Sequence, residues 1–279
     1  MKVWLGGEDE GALLDSASAG VSVLDHGLTV ADGIFETLKV VHGYPVAMRR
    51  HLARLDRSAR VLGLPSVDHA LLRSACAEVI AANEDAAQLG RLRITVTSGA
   101  GPLGSDRSVG SGPTVIVAIT AMQPWPETTS AIVVPWVRNE RSAISGAKST
   151  SYAENVVALA WAKERGYAEG LFLNTKDQLC EGTGTNVFVV KKDVISTPPL
   201  SSGALAGITR ELVVEWNDVL EQDLTLEDLD QADEVFLTSS TRDVHPVVRL
   251  GDRTWDQVGP VTKSVRSTYA ARIQDQIDP

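Results

Sequence analysis

The chain has 279 residues, 43% hydrophobic and 22% charged, which suits a soluble globular protein of two modest domains and excludes a disordered chain or a long coiled coil. Acidic side chains outnumber basic ones by 36 to 26, a formal net charge of −10. Such a balance argues against a nucleic-acid partner or an anionic membrane, both of which need a basic surface.

Cys76 and Cys180 lie far apart and form no CxxC, so neither a disulfide framework nor a structural zinc site is expected. Glu8, Asp9 and Glu10 stand where a secretory signal needs its apolar stretch, and no apolar run approaches the ~20 residues of a membrane span. A reduced, cytoplasmic protein is the expectation.

In chain order, β-branched content predicts strands at 34–41 and 91–97 (RLRITVT), with helices between them at 50–62 and 69–82. Leu52, Leu55, Ala59 and Leu62 recur at helical spacing, and Pro65 separates the two helices. A strand at 114–120 (TVIVAIT) follows, then the turn-rich Gln123-Pro124-Trp125-Pro126-Glu127. The predicted division is an N-terminal α/β domain at 1–121, a linker at 122–128 and a C-terminal α/β domain at 129–279. The second domain reads as a strand at 131–137, a helix at 152–165, and strands at 171–174 and 186–190. A helix from about Ile208, a strand at 234–237 and a last helix from about Val261 complete it.

Two common signatures fail. Gly99 to Gly104 matches GxGxxG, but Pro102 and the run to Pro113 read as an irregular loop without the helix N-terminus that holds a pyrophosphate. The five histidines show no HxH or HExxH spacing, so no metal site is expected.

Three local patterns carry chemistry. Lys148 sits among small residues in Ser145-Gly146-Ala147-Lys148-Ser149-Thr150-Ser151-Tyr152, a setting for a desolvated amine or for a plain surface lysine. Glu181 precedes a Gly/Thr-rich bend, Gly182-Thr183-Gly184-Thr185-Asn186, either as a functional acid or as a solvated turn carboxylate. Gly207-Ile208-Thr209-Arg210 enters a helix, where free backbone N–H groups favour an anion, unless it is an ordinary helix start.

These patterns fall in ordered blocks with Asp25-His26-Gly27, Asp32 to Thr37, His51 to Leu55, Leu205 to Arg210, Glu234 to Thr241 and His245-Pro246-Val247. Together they resemble the fold-type IV pyridoxal-phosphate enzymes, which include branched-chain and D-amino acid aminotransferases and 4-amino-4-deoxychorismate lyases. The resemblance spans nearly the whole chain. It implies a mixed α/β (α+β) two-domain fold like that of D-amino acid aminotransferase, with pyridoxal 5'-phosphate at the domain interface and the Schiff-base lysine on the C-terminal domain. Family members are commonly homodimers, and the same is implied here, with the 99–113 loop as the candidate for reaching the neighbour.

Residue by residue, the resemblance makes Lys148 the cofactor lysine and catalytic base, and Glu181 the partner of the pyridine nitrogen. Arg54 is similar to the arginine that grips the phosphate. Ile208 and Thr209 add backbone donors there; Thr209, Ser240 and Thr241 add hydroxyls. Tyr152 is similar to the tyrosine facing the ring hydroxyl, four residues past the lysine where branched-chain members have five. Arg93 and Arg107 are the candidates for a substrate carboxylate. Ala31 departs from the glycine many relatives carry.

The choice of reaction turns on Thr37. Lyases of the family have a threonine at the matching place, whereas branched-chain aminotransferases tend to have glycine. A hydroxyl there can relay a proton, although threonine also suits a strand. The leading expectation is a lyase converting 4-amino-4-deoxychorismate to 4-aminobenzoate and pyruvate, a step toward folate. The chain's short length, without the N-terminal extension of many branched-chain enzymes, points the same way. The alternative is an aminotransferase acting on D- or branched-chain amino acids.

Overall fold

Apolar residues alternate with polar ones along three segments of the first half. In the computed structural model, which describes residues 1–7, 9–107 and 112–279, these become the central strands of a sheet. The chain divides into two units. The first comprises Met1–Pro124, Ala147–Ser151 and Ile277–Pro279, and the second Trp125–Gly146 and Tyr152–Gln276.

The first unit contains β1 (Lys2–Gly6), β2 (Gly11–Asp15), the short α1 (His26–Thr29), β3 (Gly33–Val41) and β4 (Tyr44–Pro45). It continues through α2 (Met48–Leu62), α3 (His69–Ala81), α4 (Glu84–Gln88), β5 (Leu89–Thr97) and β6 (Thr114–Ala121). Among the described residues these strands form one antiparallel sheet in the order β2-β1-β6-β5-β3-β4. Side chains alternate across a strand, so Ile34, Leu38 and Val40 share a face with Leu92, Ile94, Val96, Val115, Val117 and Ile119. That face is buried with Leu52, Leu55 and Ala59 of α2 and Leu72, Ala75 and Val79 of α3. Each such side chain contributes roughly 1.5–3 kcal/mol by leaving water. Glu36 falls on the same buried face by strand period, which sets up the chemistry described below.

The second unit runs through β7 (Thr129–Arg138), α5 (Ala153–Glu164), β8 (Glu169–Asn174), β9 (Leu179–Gly182), β10 (Asn186–Lys191) and β11 (Val194–Thr197). Then come α6 (Ile208–Trp216), β12 (Val219–Glu221), α7 (Leu226–Asp230), β13 (Glu234–Ser239), β14 (Asp243–Leu250), β15 (Arg253–Thr254) and α8 (Pro260–Asp275). The described strands form a mixed sheet in the order β12-β11-β10-β13-β14-β7-β8-β9, with β15 on β14. Strands β8, β10 and β13 are buried on both faces, hence their unbroken apolar runs. Phe188 and Phe236 stack at 4.7 Å between β10 and β13, while Val187, Val189, Val235 and Leu237 pack into the core cluster of this unit.

Among the described residues, no helix is long and apolar enough to cross a membrane. The division between Pro124 and Trp125 falls inside the 122–128 segment. The placing of Lys148 in the C-terminal domain needs correction: residues 147–151 return to the first unit. The reason is backbone pairing, since this segment lies along the edge of β3. The Phe35 N–H donates to the Lys148 carbonyl at 2.9 Å and the Thr150 N–H to the Gly33 carbonyl at 2.8 Å.

Candidate active site

The first unit holds the lysine. Its backbone N–H donates to Ser58 Oγ of α2 at 3.0 Å, and the Thr150 hydroxyl donates to the Ala31 carbonyl at 2.9 Å. Ala31 has φ +56°, the left-handed conformation that glycine would adopt without cost, so the departure noted in sequence is accommodated by strain. Pinned on both sides, Lys148 places Nζ 4.5 Å from the centre of the Phe35 ring. The guanidinium of Arg93 lies over the same ring at 3.8 Å, and its Nε donates to Thr95 Oγ1 at 3.0 Å. Phe35, Thr37 and Arg93 share the sheet face opposite the helices, because Thr37 and Arg93 are cross-strand partners and Phe35 is two residues from Thr37.

On the buried face of β3 stands an ion cluster. Glu36 has no exposed surface and accepts from Arg54 Nε at 2.8 Å, Arg54 Nη2 at 2.7 Å and His51 Nδ1 at 2.6 Å. Burial alone pushes the Glu36 carboxyl upward, but Arg54, by charge and hydrogen bond, and His51 outweigh it and hold the carboxyl at about 2. Burial pushes His51 below its ordinary value; Arg54 and Lys148 add to this, and Glu36 opposes it. The imidazole is therefore neutral, with its proton on Nδ1 facing Glu36. This cluster fixes Arg54, which follows from α2 geometry: His51 and Arg54 are three residues apart and share a helix face. Sequence reading singled out Arg54 and missed Glu36 as its clamp.

The second unit holds Glu181, at the third residue of β9. One carboxylate oxygen accepts the Leu205 N–H at 2.9 Å, and the other lies 3.3 Å from Arg138 Nη2. Arg138 ends β7 and is itself fixed by Glu154 at 2.7 Å, by Asn155 Oδ1 at 3.2 Å and by the Phe172 ring at 4.4 Å. Asn155 in turn donates to the Thr183 carbonyl at 2.6 Å. The buried Glu169 accepts from the backbone and hydroxyl of Thr183 and from the Thr185 hydroxyl, and it lies 3.3 Å from Arg242. The Gly/Thr bend after Glu181 is thus a hydrogen-bonded brace. Beside Glu181, burial pushes the Cys180 thiol up to about 12, so it stays neutral.

Glu181 is linked through Leu205 to the start of α6, where Ile208 and Thr209 are buried. Gly207 precedes them, and a Cβ there would overlap Asn186 Oδ1. Thr209 shares a hydrogen bond with Tyr269 of α8; burial, with Asp243 nearby, pushes the Tyr269 phenol up against that bond. Ser240 and Thr241 are half-buried in the turn between β13 and β14 that ends at Asp243. Tyr152 directly precedes α5 and belongs to this unit.

The structure therefore brings Lys148, Thr37, Arg54 and Arg93 into the first unit, and Tyr152, Glu181, Ile208, Thr209, Ser240 and Thr241 into the second. Arg107 is committed elsewhere. Its guanidinium donates to Asp32 at 2.6 and 2.7 Å, to the Leu62 carbonyl at 2.8 Å and to the Gly63 carbonyl at 3.0 Å. It fastens its loop to the C-terminal end of α2. Residues 108–111 of the 99–113 segment lie outside the described residues.

Residues 33–250 match the amino-transferase class IV family, so the chain belongs to that family, whose members depend on pyridoxal phosphate. The branched-chain-amino-acid aminotransferase of Escherichia coli is 30% identical, over 96% of this chain and 91% of its own. The D-alanine aminotransferase of Bacillus licheniformis is also 30% identical, over 94% and 95%. Among solved structures, the branched-chain aminotransferase of Thermoproteus uzoniensis with norvaline superposes with a TM-score of 0.88 at 30% identity, covering 99% of this chain and 95% of that one. The 4-amino-4-deoxychorismate lyase of Pseudomonas aeruginosa gives 0.83 at 29% identity, covering 99% and 100%.

Each unit by itself offers groups suited to that cofactor: the first a lysine amine and a clamped guanidinium, the second a carboxylate held beside an arginine and a helix N-terminus whose leading glycine has no room for a side chain.

Proposed function

We propose that the chain is a pyridoxal-phosphate lyase that converts 4-amino-4-deoxychorismate to 4-aminobenzoate and pyruvate. One observation carries this reading: the Thr37 hydroxyl sits on the same face of β3 as Phe35, against which the Lys148 amine lies. Bound pyridoxal phosphate supplies a carbonyl carbon for the substrate amine and an electron sink for the bond that breaks.

The chain's residues do the rest. Arg54 and the backbone of Ile208 and Thr209 hold the phosphate, assisted by the hydroxyls of Thr209, Ser240 and Thr241. Glu181 meets the pyridine nitrogen and Tyr152 the ring hydroxyl. Lys148 takes the proton from the substrate ring carbon that bears the amine. Thr37 relays a proton to the departing enolpyruvyl group, and Arg93 grips a substrate carboxylate. Arg107, spent on Asp32, is left out of this assignment. We assign the chain to the cytoplasm, where its two free buried cysteines stay reduced, and to a homodimer.

An aminotransferase is the second reading, favoured by the 30% identity to the two aminotransferases named above. Cofactor-loaded protein incubated with aminodeoxychorismate should release 4-aminobenzoate, read by its fluorescence. A parallel incubation with D-alanine or L-leucine and 2-oxoglutarate should be much slower. Brisk transamination with no 4-aminobenzoate would install the second reading.

A further inference from the structure

Helix α2 carries both His51 and Arg54, yet its own sequence gives its N-terminus no cap. The first N–H groups of a helix lack an internal partner, and a Ser, Thr, Asp or Asn side chain usually accepts one of them. Here the preceding residue is Ala47, which makes no side-chain bond to the helix. It stands at φ +53°, a left-handed conformation that is unfavourable for any residue with a Cβ. The first turn holds no acid but two arginines, Arg49 and Arg50, the wrong charge for the positive end of a helix.

The missing cap comes from 229 residues further along the chain. The Ile277 carbonyl accepts the Ala47 N–H at 2.8 Å, and Asp278 Oδ1 accepts the Arg49 N–H at 2.8 Å. Arg50 Nε donates to a Pro279 oxygen at 3.0 Å. Residues 277–279 thereby belong to the first unit. Asp278 supplies both things α2 lacks, an acceptor for a free N–H and a negative charge at its positive end. In the same turn, the His51 N–H donates to the Ala47 carbonyl at 3.1 Å. The His51 ring meets Glu36 at 2.6 Å, and Glu36 fixes Arg54 at 2.7 Å. We infer that Asp278 is a positioning residue for the cofactor phosphate: it holds the first turn of α2, and through His51 and Glu36 the aim of Arg54. The inference rests on the proposed assignment of Arg54 to that phosphate.

Pyridoxal 5'-phosphate and pyridoxal, titrated separately into the cofactor-free full chain by fluorescence, isolate the phosphate's share of binding. A helix cap is worth about fivefold in an equilibrium constant, so Asp278→Ala should weaken pyridoxal 5'-phosphate by about that much and leave pyridoxal unchanged. Asp278→Asn should restore most of the affinity, because asparagine caps about as well as aspartate. Amide hydrogen exchange at Arg49, Arg50 and His51 should quicken in the alanine variant and not in the asparagine one. Unchanged pyridoxal 5'-phosphate affinity in Asp278→Ala overturns the inference. Equal weakening of both ligands also overturns it, because residues 277–279 would then support the fold and not the phosphate. A loss that asparagine does not rescue overturns it as well, since capping would not be its cause. Failure of the Arg54 assignment is seen separately: Arg54→Lys, which keeps the charge against Glu36, would leave the preference for the phosphorylated ligand intact.

Discussion

Glu36 shows how one buried charge governs its surroundings. Its carboxyl, held at about 2 in place of the ordinary 4.5, belongs to a group whose folded state binds fewer protons than the unfolded one. Stability from this group is fully present above about pH 4.5 and is lost as pH falls toward 2, an effect on the order of 3 kcal/mol. His51 acts in the same sense at higher pH: its lowered value means that acidification below its ordinary 6.5 already favours the unfolded chain. Urea midpoints of the wild type should therefore fall steadily from pH 7 to pH 4. Glu36→Gln should be less stable at pH 7 by about 3–5 kcal/mol, since it strands Arg54 in the interior. A midpoint that does not change with pH would mean that Glu36 and His51 are not clamped in solution. Nothing in the local sequence announces this cluster. Glu36, His51 and Arg54 all lie in motif blocks, but that they join across 15 to 18 residues, from a strand to a helix, is not written in either block.

The elements that position the site differ in how plainly the sequence declares them. Strands β3, β5 and β6 and helices α2 and α3 follow from periodicity, because each is half-buried and alternates accordingly. The β1–β2 pair escaped, since its strands are only five residues each. Strand β14 escaped because it contains Pro246, which normally argues against an interior strand. The sheet tolerates it because pairing with β7 begins only at Val247. Nor can chain order reveal that 147–151 joins the edge of β3, as that depends on unpaired backbone groups far away in sequence. At the start of α6, Gly207 is packed against Asn186. Gly207→Ala would drive a methyl into Asn186 and shift the first turn of the helix, misplacing the Ile208 and Thr209 N–H groups. Cofactor affinity should drop about tenfold or more on a fluorescence titration, whereas Gly184→Ala, where the added methyl meets open space, should leave it unchanged. Equal affinities in the two variants would remove α6 from the phosphate site.

Each unit holds its own braced polar groups: Lys148 and the clamped Arg54 in the first, Glu181 beside Arg138 and the start of α6 in the second. Family membership was readable in the sequence because ordered blocks along nearly the whole chain carried it, while the reaction was not, because cofactor residues serve lyase and aminotransferase alike. Assembly as a homodimer is expected to show in light scattering as twice the chain mass, and an active monomer would refute it.

If Thr37 sets the reaction, removing its hydroxyl separates elimination from transamination. The most direct measurement compares wild type with Thr37→Val, both saturated with pyridoxal phosphate, for 4-aminobenzoate formation and for any side transamination. Valine keeps the shape and removes the hydroxyl. Elimination needs a proton delivered away from the amine-bearing carbon, whereas transamination needs only Lys148. In Thr37→Val, 4-aminobenzoate formation should fall about 10²-fold, the low end for a positioned acid–base group, with transamination largely kept. Equal losses in both reactions, or 4-aminobenzoate formed as fast as by wild type, would contradict it.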